Sequence, residues 1–423
     1  MPVIRSSYTD KLCFFGRNTP QQLTAVYGSP LYVYNENILR RACREMRALS
    51  AHPGFRVNYS AKANANPSLL RIIREEGCLA DAMSPGELYM NLHAGFLREQ
   101  ILYVCNNVSE AELKNAADHG LLVSVDSLAQ LDLYGRVNRG GKVMLRFNPG
   151  IGAGHHKKVV TAGKSTKFGI APEELGEARA LLAGHALTLA GLNQHIGSLF
   201  MEPGGYLDAM DWLLAFAAAL RPEELARLEV LDFGGGFGIP YRKYENEARL
   251  DLEALGRGIH GRISAFAAQT GYKGLFYVEP GRYVVAECGL LLGTVHAVKS
   301  NAGRRYVGTD LGFNTLMRPV LYNSFHDLEI YRAGGNGDAG LLPQTVVGNI
   351  CESGDILADS RELPEIRSGD ILGVLDAGAY GFAMCSNYNL RLRPAEVLIR
   401  ADGSCRVIRR RDSLDDLLRN VDV

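Results

Sequence analysis

The chain has 423 residues, of which 47% are hydrophobic and 22% charged, and its formal net charge is +0. This length suggests about two domains with a large core, and the charge balance offers nothing to nucleic acid or an anionic membrane surface. No apolar run is long enough to span a bilayer, and eight cysteines, none spaced C-x-x-C, suggest neither a zinc site nor a redox pair.

Residues 1–10 lack the charged-then-apolar pattern of a secretory signal, and unpaired cysteines in a large chain fit a reducing cytoplasm. Residues 31–34 read as a β segment. From about 55 to about 283, β-rich segments alternate with amphipathic helical ones. The β segments fall at 56–60, 79–83, 101–105, 121–125, 142–147, 189–195, 228–233 and 275–278. Helical spacing of apolar residues covers 67–76, 85–94, 110–119, 129–137, 172–182, 206–220 and 252–270. These segments open near proline, serine or acidic residues, and several close near glycine. Eight β segments with crossover helices predict a (β/α)8 barrel. An open doubly wound sheet is the alternative, since strand count alone does not separate the two.

After Arg282 the rhythm changes. Segments 283–298, 305–311, 344–350, 370–375 and 393–400 read as strands separated by turns, with turn signals at 334–338 and 401–403. This predicts a second, mainly β domain with which 31–34 can pair. The expected division is 35–283 for the barrel and 1–34 plus 284–423 for the β domain.

Four motifs follow β segments at the rim where barrel chemistry gathers. Lys62, in Tyr59-Ser60-Ala61-Lys62-Ala63-Asn64, follows the first. A lysine there can reach a carbonyl group and form a Schiff base, although alone it reads as a solvated loop residue. His195-Ile196-Gly197-Ser198 follows the sixth segment, Gly234-Gly235-Gly236-Phe237-Gly238 the seventh and Glu279-Pro280-Gly281-Arg282 the eighth. Consecutive glycines let backbone N–H groups converge on an anion. Glu279 can hold the proton of a pyridine nitrogen and so make the ring an electron sink. His195 can stack on a flat ring, or be a satisfied core histidine. Ser198 can donate to phosphate or cap a turn. Together these are the parts of a pyridoxal phosphate site.

The β domain adds Cys351-Glu352-Ser353-Gly354-Asp355, Gly378-Ala379-Tyr380-Gly381 and Arg318-Pro319-Val320-Leu321-Tyr322. Arg318 with Tyr322 suits the clamping of a carboxylate. Read singly, Cys351 is a buried small hydrophobe and Arg318 a surface charge.

The order and spacing of these motifs resemble those of the fold-type III pyridoxal-phosphate-dependent decarboxylases, and within them the chain is most similar to the diaminopimelate decarboxylases. The similarity runs from Pro30-Leu31-Tyr32-Val33-Tyr34 to Arg393-Pro394-Ala395-Glu396-Val397. The resemblance implies a barrel that binds pyridoxal 5'-phosphate and a β domain that completes the active site. Lys62 would hold the cofactor covalently, Glu279 would pair with the pyridine nitrogen, His195 would stack on the ring and Asp81 would lie nearby. Ser198, Gly235, Gly236 and Tyr380 would hold the phosphate. Arg282, Arg318 and Tyr322 would grip the distal carboxylate of the substrate, Glu352 its distal ammonium, and Tyr380 would also border the substrate. In the family Cys351 and Glu352 come from the partner subunit, which implies a homodimer with shared sites.

The implied reaction is decarboxylation of meso-diaminopimelate to L-lysine, a step of lysine biosynthesis, with Cys351 as the acid that reprotonates carbon. Ornithine or arginine would leave two buried arginines without a partner, which argues for a carboxylate-tailed substrate. Leu199, Leu390 and Leu392 depart from the family pattern and leave room for a sibling decarboxylase of another amino acid. A non-catalytic regulatory homologue is the third reading, opposed by intact Lys62 and Cys351. Residues 155–158 and 164–167, rich in histidine and lysine, read as a solvated loop or lid or as an anion-steering patch.

Overall fold

The computed structural model describes residues 7–150, 166–332 and 340–422. Two compact units divide the chain: Arg40–Ile239 with Ala248–Val284, and Met1–Leu39 with Pro240–Glu247 and Val285–Val423. Strand β1 (Leu31–Asn35) belongs to the second unit, and the next eight strands build the first.

Those eight are β2 (Phe55–Tyr59), β3 (Leu79–Ala82), β4 (Ile101–Val104), β5 (Leu122–Val125), β6 (Lys142–Arg146), β7 (Thr188–Asn193), β8 (Val230–Asp232) and β9 (Leu275–Val278). They form a closed barrel. Closure comes from parallel pairing of β2 with β9, with Phe55 opposite Phe276 and Val57 opposite Val278. That pairing decides for the barrel and against the open sheet.

The outer helices start where the sequence supplies caps. Asn66, Ser84, Ser109 and Ser127 accept backbone N–H bonds at the starts of Pro67–Glu75, Pro85–His93, Glu110–Asp118 and Leu128–Val137. Pro67 and Pro85 occupy first-turn positions that need no N–H. Asp251 caps Leu252–Thr270, and Gly271, at φ 72°, ends it.

Side chains facing a barrel interior alternate along each strand. One interior layer is apolar: Leu102, Val104, Met144, Val230 and Tyr277 pack together, with Leu79, Leu122 and Leu275 against them. Gly191 makes room for this layer, because a Cβ there would sit 2.7 Å from Met144 Cγ. Two residues further along the same strands the interior turns polar. Arg146 lies opposite Asn193 and Asn193 opposite Asp232, and all three are buried.

The other unit is a nine-stranded sheet. Its further strands are β10 (Gly289–Asn301), β11 (Arg304–Thr309), β12 (Leu328–Tyr331), β13 (Leu341–Val347), β14 (Ile356–Pro364), β15 (Ile371–Val374), β16 (Ala395–Ile399) and β17 (Cys405–Arg409). The main path runs β14-β13-β11-β10-β1-β16-β17, with β15 on β10 and β12 on β15. β1 therefore pairs inside this sheet, antiparallel to β10 and parallel to β16.

Pattern reading missed β12, β14 and β17. β14 carries Asp359, Arg361 and Glu362, which lower strand propensity; it ends the path, where charges deter edge-to-edge pairing. The segment expected as one strand over 283–298 divides into a helical turn, Arg282–Val285, and β10. The helix Glu36–Arg47 also escaped notice, although Ile38, Leu39, Ala42, Cys43 and Met46 form its buried stripe. The turn signal at 334–338 lies outside the described residues. Among the described residues no helix is long and apolar enough to cross a membrane.

Within the β unit, Lys243 is buried against Asp376 at 2.6 Å and Glu287 at 3.2 Å. Burial pushes the Asp376 carboxyl up to about 7 against the pull of Lys243. Removing the amine would leave two buried carboxylates facing each other. Lys243→Met should therefore cost about 3–5 kcal/mol at pH 8, measured as a lower urea midpoint. The loss should shrink toward pH 5, because the carboxyls then take up protons in place of the missing cation.

Candidate active site

Lys62 sits in a one-turn 3-10 segment, Ala61–Ala63, directly after β2. The turn is held by Asp81 at the end of β3. One carboxylate oxygen accepts from the Ser60 hydroxyl and the other from the Ala61 N–H, each at 2.8 Å. The Asn91 amide in turn donates to the Asp81 carbonyl at 2.7 Å. Asp81 thus fixes the direction in which Lys62 leaves the strand.

From this turn a chain of backbone bonds runs along the rim. The Ser60 N–H donates to the Pro280 carbonyl at 3.1 Å, and the Glu279 N–H to the Gly234 carbonyl at 2.8 Å. The Gly235 N–H donates to His195 Nδ1 at 3.0 Å. The Phe200 N–H donates to the Gly236 carbonyl at 3.0 Å. Arg282 Nη2 donates to the Ser198 hydroxyl at 2.9 Å. The four motif loops are one hydrogen-bonded assembly.

Two glycines are required by the closeness of this assembly. A Cβ on Gly235 would collide with the Glu279 carbonyl oxygen, and one on Gly236 would lie 2.5 Å from the Gly197 carbonyl oxygen. Gly236 also has φ 111°. The Gly235 N–H is committed to His195, whereas the Gly236 N–H meets no acceptor among the described residues.

Burial dominates the electrostatics. The Glu279 carboxyl is buried, and desolvation, then the Asp232 and Asp81 charges, hold it well above the usual carboxylate range against Lys62 and Arg146. Desolvation also raises Asp81, opposed first by Lys62. Glu87, on the helix after β3, is pushed up to about 7 by burial and by Asp81. His195 is held well below its ordinary value by burial and then by the Lys62 and Arg146 charges. One amine therefore faces three carboxyl groups and a neutral imidazole.

The remaining candidate residues belong to the β unit. Arg318 is buried rather than on the surface. Its Nη1 lies 2.7 Å from His326 Nε2, its Nη2 3.4 Å from the Ser324 hydroxyl, and its guanidinium 4.7 Å from the Tyr241 ring centre. His326 Nδ1 is 2.7 Å from the Leu375 carbonyl. That contact puts the proton on Nδ1 and leaves Nε2 to accept from Arg318. Tyr322 ends the short helix Arg318–Tyr322. Cys351 is exposed rather than buried, its N–H donating to the Asn389 side-chain oxygen at 2.8 Å. Glu352, also exposed, accepts from the Tyr388 hydroxyl at 2.5 Å. Buried Asp355 shapes this loop by accepting from the Ile350 and Phe313 N–H groups at 2.8 and 2.7 Å. Tyr380 has φ 55° in a turn where a Cβ on Gly378 would strike the Val285 carbonyl oxygen.

Residues 36–286 match the pyridoxal binding domain of the pyridoxal-dependent decarboxylases. The diaminopimelate decarboxylase of Methanothermobacter thermautotrophicus is 40% identical, over 95% of this chain and 94% of its own. That of Escherichia coli K12 is 33% identical, over 94% of each. The crystal structure of diaminopimelate decarboxylase from Helicobacter pylori complexed with L-lysine matches with a TM-score of 0.86 and 29% identity, over 95% of this chain and 98% of that one. The chain belongs to the pyridoxal-dependent decarboxylases. It is an amino acid decarboxylase whose cofactor is pyridoxal phosphate. The barrel rim fits that group. It offers an amine, a flat neutral imidazole, a glycine N–H without an acceptor, and a buried Glu279 Oε1 with no donor among the described residues.

Sequence reading passed over the polar interior of this decarboxylase: Glu87, Asp126, Arg146, Asn193 and Asp232. The signal was present. Arg146 and Asp232 each end an apolar strand, at positions whose inward direction follows once the barrel is assumed. Of the loop at 155–167, residues 155–165 lie outside the described ones; Lys167 has its Nζ 5.0 Å from the Phe168 ring centre.

Because Gly235 donates to Nδ1, His195 must carry its proton on Nε2. Ring-nitrogen NMR of the cofactor-free protein should show that neutral tautomer and a titration midpoint well below the ordinary histidine value. A midpoint at the ordinary value near 6.5 would contradict this account of the site.

Proposed function

We propose that this chain decarboxylates meso-diaminopimelate to L-lysine with release of CO2. The observation that carries the reading is the convergence of Lys62, His195, Glu279 and the Gly234–Gly236 turn on one barrel rim. Identity of 40% over nearly the whole length to a diaminopimelate decarboxylase supports it.

When bound, pyridoxal phosphate supplies an electron sink for the pair left behind as CO2 departs. Lys62 would hold the cofactor through its amine and give way to the substrate amine. Glu279 would accept the ring N–H and keep the ring cationic. His195, already neutral, would cover one face of the ring without adding charge. The Gly236 N–H, Ser198 and Tyr380 would hold the phosphate. Gly235 would contribute by orienting His195 through its N–H rather than by donating to the phosphate.

Diaminopimelate carries an amino acid group at each end. Arg282, Arg318 and Tyr322 would bind the distal carboxylate, and Glu352 the distal ammonium, presenting the other end for reaction. His326 and the Ser324 hydroxyl hold the Arg318 guanidinium in place, and a fixed guanidinium suits a substrate carboxylate. Exposed Cys351 would return the proton to carbon. Its exposure beside Glu352 suits delivery from a second copy of the chain, as a homodimer working in the cytoplasm.

A CO2-release assay over meso-diaminopimelate, ornithine, lysine and arginine should give turnover with diaminopimelate alone. Reaction with ornithine alone would overturn the assignment. Lys62→Ala should release no CO2 and form no borohydride-stable adduct with the cofactor. Arg318→Ala should lower kcat/KM for diaminopimelate about hundredfold, the loss expected when a buried charge loses its partner. Full activity in that variant would remove Arg318 from the substrate site.

A further inference from the structure

Asp232 is a buried carboxyl group for which the reaction as described has no use. It ends β8, two residues before the Gly234 turn, and lies in the polar interior row beside Asn193. Its Oδ1 accepts the Gly234 N–H at 2.9 Å. The Gly234 carbonyl accepts the Glu279 N–H at 2.8 Å and the Tyr206 hydroxyl at 3.1 Å. One glycine thus ties the backbone of Glu279 to the side chain of Asp232 and brings their carboxyl groups within hydrogen-bond reach.

Two oxygens at this meeting point are orphaned. Asp232 Oδ2 and Glu279 Oε1 are both buried and neither has a partner at ordinary hydrogen-bond distance among the described residues, although the Asn193 amide is close enough to Asp232 to favour its ionised form. Two carboxylates in contact do not both ionise in such a place, and a single proton between the two groups relieves the pair. Burial accordingly raises Asp232 to about 7 and holds Glu279 well above the usual carboxylate range. Arg146, whose charge reaches both groups, favours one negative charge on the pair.

We propose that Asp232 is a positioning residue that, in its protonated form, donates a hydrogen bond to Glu279 and aims that carboxylate at the pyridine nitrogen. The inference rests on the function proposed above. Without a cofactor the proton rests on Glu279, whose carboxyl is the harder to ionise; a cationic ring needs Glu279 ionised, and its charge would move that proton to Asp232. Asparagine has the same shape and the same two jobs to offer: its oxygen can accept from Gly234 and its NH2 can donate to Glu279. Alanine and valine can do neither.

The test compares wild type, Asp232→Asn, Asp232→Ala and Asp232→Val, each loaded with ring-15N pyridoxal phosphate. Three readouts are taken: the borohydride-stable adduct at Lys62, the ring-nitrogen shift, and kcat and KM on diaminopimelate. Asp232→Asn should keep the protonated-nitrogen shift and a kcat within about threefold of wild type. The alanine and valine variants should lose that shift and lose about ten- to hundredfold in kcat with KM little changed, the range of one hydrogen bond to a charged group. A wild-type shift and kcat in the alanine or valine variant would overturn the proposal. So would an asparagine variant without the protonated-nitrogen shift, which decides the matter even where the other variants fail to fold. Absence of any Lys62 adduct in wild type would instead sink the proposed function and this inference with it.

Discussion

The approach of the Glu279 main chain to Gly235 sets the geometry of everything else at the barrel rim. No side chain fits between them. The Glu279 N–H therefore reaches the Gly234 carbonyl, and the Gly235 N–H reaches His195. Pro280, next to Glu279, accepts from Ser60 and draws in the turn that bears Lys62. Barrel closure through β2 and β9 makes these contacts possible, because it brings the first and last strands side by side. In an open doubly wound sheet the first and last of these strands would not be neighbours.

That rigidity has an electrostatic consequence. Lys62 stands among Asp81, Glu87 and Glu279, with His195 neutral beside it. Water is largely excluded, so each carboxyl group is harder to ionise than in solution. The groups divide into two kinds. Asp81 is satisfied by Ser60 and Ala61 and serves as scaffold. Glu279 lies instead against the carboxyl group of Asp232, with one oxygen that has no partner at ordinary hydrogen-bond distance among the described residues. The same contrast appears in the β unit, where Asp355 shapes its loop from within and Cys351 and Glu352 are exposed.

Much of this was legible in the chain. The alternation of β and helical segments, with proline and serine at helix starts, reported the barrel strands to within a few residues. Lys62, His195, the glycine turn and Glu279 were visible because each follows a β segment and together they supply the parts of one site. The charged edge strand β14 was not legible, since its role is to look unlike a strand. Nor were the environments of Arg318 and Cys351, which reverse what composition suggests: the arginine is buried beside a neutral histidine and the cysteine is exposed.

The sequence by itself determined the period of each element and the chemistry of each motif, because spacing and side-chain type are local properties. Tertiary structure alone decided which polar groups share a row inside the barrel. Arg146, Asn193 and Asp232 come from three strands separated by long helical crossovers, and they meet only through inter-strand register. The shift of a buried carboxyl depends on the charges around it and on the water it has lost. Both are set by residues far away along the chain, so neither can be read from its neighbours in sequence.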